Sequence, residues 1–241
     1  MESTTYSISC VHYNIYNRWL DGVFLSSFRF NNMKLKRLIL LTFTVLSSSI
    51  ISAQTINELW LSMPQNMTPY LTEKQKKEVI DNYKSDSGLK VTNNLQGTTY
   101  ADTLSADYGH FCMSDSKDLY LILLPTKDND SIMLCIETYK TPDAQSKLEF
   151  YNRKWQKLSK QDKIPNIEME NLISRPDTMS IETYDNLRSL ISPELISFQY
   201  NVSSKTLEAN LATPLLSADE RNKLKNIFSK YMLKWDGVRF N

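Results

Sequence analysis

Five short segments in the middle of the chain constrain its fold more than any other feature. Apolar and polar residues alternate through them, and no stretch of helical periodicity separates one from the next. The predicted strands cover residues 89–92, 98–104, 108–113, 119–124 and 132–139. Because strands that follow one another without crossover helices form hairpins, this pattern predicts an antiparallel sheet.

Two amphipathic helices are predicted before the strands. Residues 55–63 carry apolar side chains at helical spacing, and the pattern stops at Pro64. A capping box formed by Thr72 and Gln75 marks the start of the second helix. The lysines of this helix are expected to form a solvated face, and they are Lys74, Lys76 and Lys77.

The last third of the chain repeats the same kinds of element. A helix is predicted over residues 181–191, and a hairpin over residues 194–200 and 206–212. A second capping box at Ser217 and Glu220 precedes an apolar stripe. The stripe consists of Leu224, Ile227, Phe228 and Tyr231. Residues 235–240 are predicted to end the chain as a short strand.

These elements predict an α+β fold, in which a mostly antiparallel sheet carries capped helices on one face. Residues 54–160 would form a helix-plus-sheet subdomain, with residues 161–241 packed on it as one unit. The patterns of residues 68–75 and 213–220 are similar, so the two subdomains could be related by duplication. Two independent capped helices also produce this similarity, and we favour that explanation because capping boxes are common.

Two interpretations are open for residues 148–158. Thr141-Pro142 is typical of a helix start, and Leu148, Tyr151 and Trp155 recur at helical spacing. The alternation of residues 148–151 also favours a strand. Residues 160–176 show little periodicity and are predicted to form a long connection.

Residues 33–53 have the composition of a secretory signal peptide. A basic n-region precedes an apolar h-region of nine residues, which is shorter than the roughly 20 residues that span a bilayer. Small residues follow, and cleavage is predicted between Ala53 and Gln54. Because Gln54 is not a cysteine, a lipoprotein anchor is disfavoured. A signal peptide stands at the start of a protein, so residues 1–32 are interpreted as a gene-start error. The alternative is a real N-terminal extension, which would have to be translocated or retained.

Composition after the predicted cleavage excludes several classes of function. Removing five of the 28 basic residues and two of the 27 acidic ones leaves 23 and 25, a net charge of −2. A field of that sign does not hold a polyanion, so nucleic-acid binding is not expected. His110 is the one histidine after Ala53, which excludes metal sites built on several histidines. We expect His110 to be a strand residue at a sheet margin.

Two cysteines also follow the predicted cleavage, Cys112 and Cys135. In a simple meander they would lie two strands apart, at roughly 9–10 Å. A disulfide requires Cα atoms closer than about 7 Å. Free thiols are therefore favoured over a Cys112–Cys135 disulfide, unless the order of the strands differs from their order in the sequence.

Several strand and turn segments of the chain carry a resemblance to a known protein family. They comprise Leu123-Leu124-Pro125, Asp128, residues 142–146, Phe150-Tyr151, Trp155 and residues 235–240. In these residues the chain from 54 to 241 resembles a family of exported proteins from Bacteroidales gut bacteria, known as a domain of unknown function. The resemblance implies a periplasmic or surface setting in a Gram-negative bacterium and a strand at Phe150-Tyr151. It transfers no catalytic residue.

Motifs for phosphate, dinucleotide and serine-hydrolase chemistry are missing, since four glycines follow Ala53 and none forms such a motif. We therefore predict no catalytic residue, no cofactor and no metal site. Paired carboxylates are the catalytic device left open. The candidates are Asp102, Asp107, Asp115 and Asp118, which are expected to be solvated turn residues.

Two surface features remain as hypotheses. Aromatic side chains could form a face for glycan or peptide recognition, although packing in the sheet is favoured. They are Tyr100, Tyr108, Tyr120, Tyr139, Tyr151 and Trp155. Three Asp-Ser/Thr-apolar triplets resemble bacterial O-glycosylation acceptors, at Thr103, Ser131 and Thr178.

The sequence thus favours an exported, non-enzymatic binding or interaction module of the periplasm or cell surface. An unidentified protein or glycan is the expected partner, and no transmembrane segment is expected after residue 53. A carboxylate-dependent envelope hydrolase acting on glycan or peptide is the first alternative. A structural subunit of an envelope complex is the second.

Overall fold

The computed structural model of the chain describes residues 54–141, 143–213 and 216–241. The predicted signal peptide, Ala53 and residues 1–32 lie outside this part. Residues Gln54–Asn241 form one compact unit with two sheets. Within the described residues, none of the helices is both long and apolar enough to cross a membrane.

The larger sheet is a seven-stranded antiparallel meander, whose strands lie side by side in the order of the sequence. Its strands are β1 Val91–Thr92, β2 Thr98–Leu104, β3 Tyr108–Ser114, β4 Lys117–Pro125, β5 Ser131–Tyr139, β6 Gln145–Tyr151 and β7 Lys157–Leu158. The strands β4 and β5 pair along nine residues each and form its centre. The predicted antiparallel sheet and the α+β class are confirmed.

Two helices, α1 (Ile56–Leu61) and α2 (Glu73–Lys84), cover one face of this sheet. Side chains alternate along each strand, so Phe111, Leu121 and Cys135 all point towards the helices. Trp60 of α1 is fully buried and stacks on Phe111 with ring centroids 4.0 Å apart. The helical layer is thereby joined to the middle of the sheet.

Gly109 of β3 permits this close approach of α1 to the sheet. A Cβ atom at residue 109 would lie 2.7 Å from a methyl carbon of Ile56 and 2.8 Å from the ring of Phe111. Real Cβ atoms do not come that close, so any larger residue would force the side chains of Ile56 and Phe111 to shift.

Lys76 does not lie on the predicted solvated face of α2. Its side chain is fully buried, and its ammonium group donates a hydrogen bond of 2.8 Å to the carbonyl of Met63. Glu73, one turn earlier, lies 2.9 Å from the same ammonium group. Lysine periodicity alone could not reveal this position, because the segment that accepts the hydrogen bond is distant in the sequence.

A three-stranded sheet covers part of the other face of the larger one. Its strands are β8 Leu195–Asn201, β9 Thr206–Ala212 and β10 Tyr231–Lys234, paired in the order β10-β9-β8. Leu207 and Leu233 of this sheet pack with Ile122 and Phe150 of the larger one. The hydroxyl of Ser146 also accepts a hydrogen bond of 3.0 Å from the backbone N–H of Phe198. The two sheets therefore share one core.

Three short helices form a third buried cluster beside the smaller sheet. They are α3 Met169–Leu172, α4 Ile181–Ser189 and α5 Ala218–Leu224. The helix at Ser217 ends earlier than its apolar stripe predicts, because Tyr231 belongs to β10. Residues 235–240 are not a strand of their own: Trp235 and Phe240 form an isolated bridge that closes a turn.

The helical interpretation of residues 148–158 is wrong. Residues up to Tyr151 form β6, and Asn152 begins a turn that leads into β7. Leu148 and Phe150 face the smaller sheet, while Tyr151 packs on the helical side. Both faces of β6 are covered, and this burial decides the conformation over the local helical spacing.

Glu149 on β6 is held by three donors, and its titration is expected to affect acid stability. Burial acts to raise the pKa of Glu149, but hydrogen bonds from Lys157, Tyr151 and Lys147 outweigh it and lower the pKa to about 2. A pKa that is lowered on folding stabilises the folded state above the unfolded-state pKa, and this contribution is lost as the pH falls.

We therefore expect Glu149→Gln to flatten the loss of stability between about pH 4.5 and about pH 2. The expected change is below about 1 kcal/mol, since the cluster is partly open to solvent. Urea denaturation across this range measures it, with Glu78→Gln on the exposed side of α2 as the control. Equal acid sensitivity of the two variants would contradict the prediction.

Candidate functional site

Three metal-ligating side chains meet on the face of the larger sheet that the smaller sheet covers only in part. His110 and Cys112 are two residues apart on β3, so both point to the same face. In the register of β3 and β4, Cys112 lies directly opposite Asp118. The turn at Asp115-Ser116 pairs Ser114 with Lys117. A β-bulge at Met113 then shifts the register by one residue and brings the carboxylate to the other two groups.

The ligand atoms of the three residues all lie within 4.8 Å of one another. The Nε2 atom of His110 is 3.9 Å from the Sγ of Cys112 and 3.7 Å from the Oδ2 of Asp118. The side chains of His110 and Asp118 are 18% and 11% exposed, which places the group at the margin of the core. His110 is thus a strand residue, but one that faces a thiol and a carboxylate.

A β-bulge in the neighbouring strand brings a second carboxylate to His110. The register between β2 and β3 shifts between Ala101 and Thr103, which leaves Asp102 as the extra residue. Its Oδ2 lies 3.0 Å from the Nδ1 of His110, while its side chain is 52% exposed. Asp102 therefore orients the ring so that Nε2 faces Cys112 and Asp118.

Other neighbours hold the group in place. The ammonium of Lys140 donates a hydrogen bond of 3.0 Å to the Oδ1 of Asp118, which leaves Oδ2 towards His110. The ring of Tyr120 stacks on His110 at 4.4 Å between centroids. Tyr100 lies opposite Cys112 in the register of β2 and β3.

Asp102, His110 and Cys112 have the order of a carboxylate–imidazole–thiol triad, but the thiol lacks the properties of a nucleophile. Burial raises the pKa of the Cys112 thiol, and the nearby Asp118 acts in the same direction. Nucleophilic cysteines have lowered pKa values. Asp118 also competes for Nε2, the nitrogen that would accept the thiol proton. The arrangement is therefore poorly suited to covalent catalysis.

The four candidate carboxylates do not form a glycosidase-like pair. Asp102 and Asp118 come together, but the ring of His110 lies between them, and no substrate could sit there. Asp107 accepts a hydrogen bond from Ser105. Asp115 lies exposed in the turn between β3 and β4. Two of the four are thus exposed turn residues, while Asp118 is a buried strand residue.

The six candidate aromatic residues do not share one surface. Tyr108 and Tyr120 pack towards the smaller sheet, whereas Tyr151 and Trp155 pack on the helical side. Tyr139 is exposed at the end of β5. Because side chains alternate between the two faces of the sheet, these aromatic residues lie on different surfaces.

The remaining candidate residues are dispersed over the fold. Cys112 and Cys135 are free thiols with β4 between their strands, and they point to opposite faces. Thr103 and Thr178 are exposed, so their hydroxyls are accessible. Ser131 is buried, and its hydroxyl accepts hydrogen bonds from Arg153 at 3.0 and 2.6 Å. A glycan on Ser131 would have to displace Arg153.

A cleft of about 570 Å³ lies beside the bulged strand β2. Since β1 pairs only with Thr98 and Thr99, the next residues of β2, from Tyr100 to Asp102, border this cleft. The lining combines apolar and aromatic side chains with polar ones. It includes Tyr83, Leu89, Tyr100, Asn82, Lys90 and Asp102.

No sequence pattern grouped His110, Cys112 and Asp118, so their meeting was not predicted. A signal was present, because two ligand types at i and i+2 on a predicted strand share a face. Asp118 leaves no such signal, because a regular hairpin with this turn would place it opposite Met113. Only the β-bulge at Met113 shifts it opposite Cys112. The bulge at Asp102 leaves no comparable signal, because it depends on the pairing of β2 with β3.

The model of one protein family, described as "Protein of unknown function (DUF3256)", matches residues 48–240. The chain belongs to this family. No curated protein matches the chain.

Among solved structures, the chain is similar to one described as a domain of an uncharacterized protein from Porphyromonas gingivalis W83. The sequences are 19% identical, and the TM-score is 0.65. The match covers 79% of this chain and 99% of the other. At this identity the similarity establishes a shared fold.

Proposed function

We propose that the protein is an exported, non-enzymatic binding module of the envelope of a Gram-negative bacterium. The composition of residues 33–53 supports export. The cleft beside β2 is the observation that carries the binding function. The proposed ligand is a protein or glycan of the envelope.

The cleft has the size and lining that such a ligand requires. Its volume of about 570 Å³ falls within the range of roughly 300–1,000 Å³ typical of ligand pockets. Tyr83 and Leu89 are 37% and 64% exposed, so they offer apolar surface for stacking. Asn82 and Asp102 supply polar groups beside them. A sugar ring or an extended peptide needs this combination of groups.

Soluble muropeptides test the proposal, because each carries both a glycan and a peptide. We expect their addition to shift the backbone amide signals of cleft residues in NMR spectra. The muropeptide masses should stay unchanged, since a binding module does not cleave its ligand. Asp86 and Asp102 both line the cleft, so the masses also test the hydrolase alternative directly. Tyr83→Ala should weaken the binding by roughly tenfold, because an aromatic contact of about 1.5 kcal/mol is lost. Tyr139→Ala, which removes an exposed tyrosine outside the cleft, is the matched control.

Three results would count against this function. Shorter muropeptides would indicate the hydrolase alternative, and an absence of shifts at the cleft would contradict muropeptide binding. Recovery of the native protein with an intact mass that begins at Met1 would contradict export through residues 33–53. A mass that begins at Gln54 would support it.

A further inference from the structure

We propose that His110, Cys112 and Asp118 bind one divalent transition-metal ion of the zinc type. The three residues supply a nitrogen, a sulfur and an oxygen ligand on one face of the β3–β4 hairpin. The inference does not rest on ligand binding in the cleft, because none of the three ligand residues lines it, although Asp102 borders both sites.

Two of the three separations between the ligand atoms are close to those of a tetrahedral site, and all three are within 4.8 Å. With Zn–S of about 2.3 Å and Zn–N or Zn–O of about 2.0–2.2 Å, neighbouring ligands lie about 3.4–3.6 Å apart. The Nε2 of His110 is 3.7 Å from the Oδ2 of Asp118 and 3.9 Å from the Sγ of Cys112. Small rotations of the side chains would bring all three ligand atoms within bonding distance of a single metal ion.

Two of the three ligands also have the outer partner that metal ligands in proteins have. The carboxylate of Asp102 accepts a hydrogen bond from the Nδ1–H of His110. This contact leaves Nε2 as the free nitrogen, as in carboxylate–histidine–zinc arrangements. Lys140 binds the Oδ1 of Asp118 and leaves Oδ2 free. These two contacts orient the free ligand atoms of His110 and Asp118.

The ligand types define the class of ion. Thiolate and imidazole select borderline ions such as Zn²⁺ and Co²⁺, whereas Ca²⁺ and Mg²⁺ require mainly oxygen ligands. Three protein ligands leave a fourth tetrahedral position for water or another group. Asp102 is 52% exposed, so the site can be reached from solvent on its side.

Cobalt titration of the full chain tests the proposal. Cys10→Ser and His12→Gln are introduced first, so that His110 is the remaining histidine and Cys112 and Cys135 are the remaining thiols. One equivalent of Co²⁺ should produce a sulfur-to-cobalt charge-transfer band and the visible bands of a tetrahedral ion. Zn²⁺ should remove both, while Ca²⁺ and Mg²⁺ should not.

Matched variants identify the ligands. Cys112→Ser should abolish the charge-transfer band, while Cys135→Ser should keep it. His110→Gln and Asp118→Asn should abolish tight binding, whereas Asp115→Asn in the adjacent turn should not. Asp102→Asn should weaken binding about 10–100-fold, because Asp102 acts by orienting His110.

Several results would overturn the proposal: no cobalt bands in the starting protein, bands that survive His110→Gln, or bands lost in Cys135→Ser but kept in Cys112→Ser. A rise in the melting temperature with Zn²⁺ that is lost in His110→Gln gives a second readout. This readout keeps the test decisive if Cys112→Ser does not fold. Muropeptide binding is measured separately, so the two proposals can fail independently.

Discussion

Replacing Trp60 with alanine is expected to lower the free energy of unfolding by about 3–5 kcal/mol. The side chain is fully buried and stacks on Phe111 at 4.0 Å between ring centroids. Its indole N–H donates a hydrogen bond of 2.9 Å to the backbone carbonyl of Lys76 in α2. Trp60 thus connects α1 to both the sheet and α2. Since domains are stable by about 5–15 kcal/mol, this loss is a large fraction of the total.

Chemical denaturation monitored by far-ultraviolet circular dichroism measures the effect of the Trp60 substitution. Leu95→Ala is the control, because Leu95 is 75% exposed and should change stability by less than about 0.5 kcal/mol. Trp60→Phe should give an intermediate loss, since it retains a ring against Phe111 but not the N–H donor. A loss below about 1 kcal/mol for Trp60→Ala would mean that the contact between α1 and the sheet contributes little.

Lys76→Ala is expected to destabilise the fold by about 2–4 kcal/mol. The substitution removes a fully buried four-carbon chain and leaves the carbonyl of Met63 without its donor. Lys76→Met refills most of the volume but not the hydrogen bond. We therefore expect it to recover part of the loss and to remain about 1–3 kcal/mol below the natural protein.

Lys74→Ala, two residues away on the exposed side of α2, is the matched control for Lys76 and should be nearly neutral. The same denaturation measurement applies to all three lysine variants. Equal stability of Lys74→Ala and Lys76→Ala would show that the buried ammonium group is not needed to hold the segment at Met63.

Local signals were sufficient where the chain interacts mainly with its sequence neighbours. The capping boxes at Thr72 and Ser217 form as predicted, because both partners lie within one helical turn. The meander from β2 to β5 follows from short turns between alternating segments, since a hairpin needs no distant information. Alternation predicted these four strands within a few residues of their observed ends.

Local signals were insufficient where burial by a distant segment decides the outcome. Residues 148–151 carry both helical and strand patterns, and pairing with β5 and cover on both faces select the strand. Lysine periodicity placed Lys76 in solvent, whereas the carbonyl of Met63 holds it in the core. In both cases the deciding partner comes from another element, which a pattern within one element does not show.

The sequence by itself determined the α+β class, the antiparallel character of the sheet and the inventory of reactive groups, with one histidine and two cysteines after Ala53. Periodicity and turn chemistry are properties of neighbouring residues, so they can be read along the chain. Only the tertiary structure decided that His110, Cys112 and Asp118 meet and that Asp102 orients the imidazole. That convergence depends on hairpin register and on a β-bulge, and both are set by pairing between strands rather than within one.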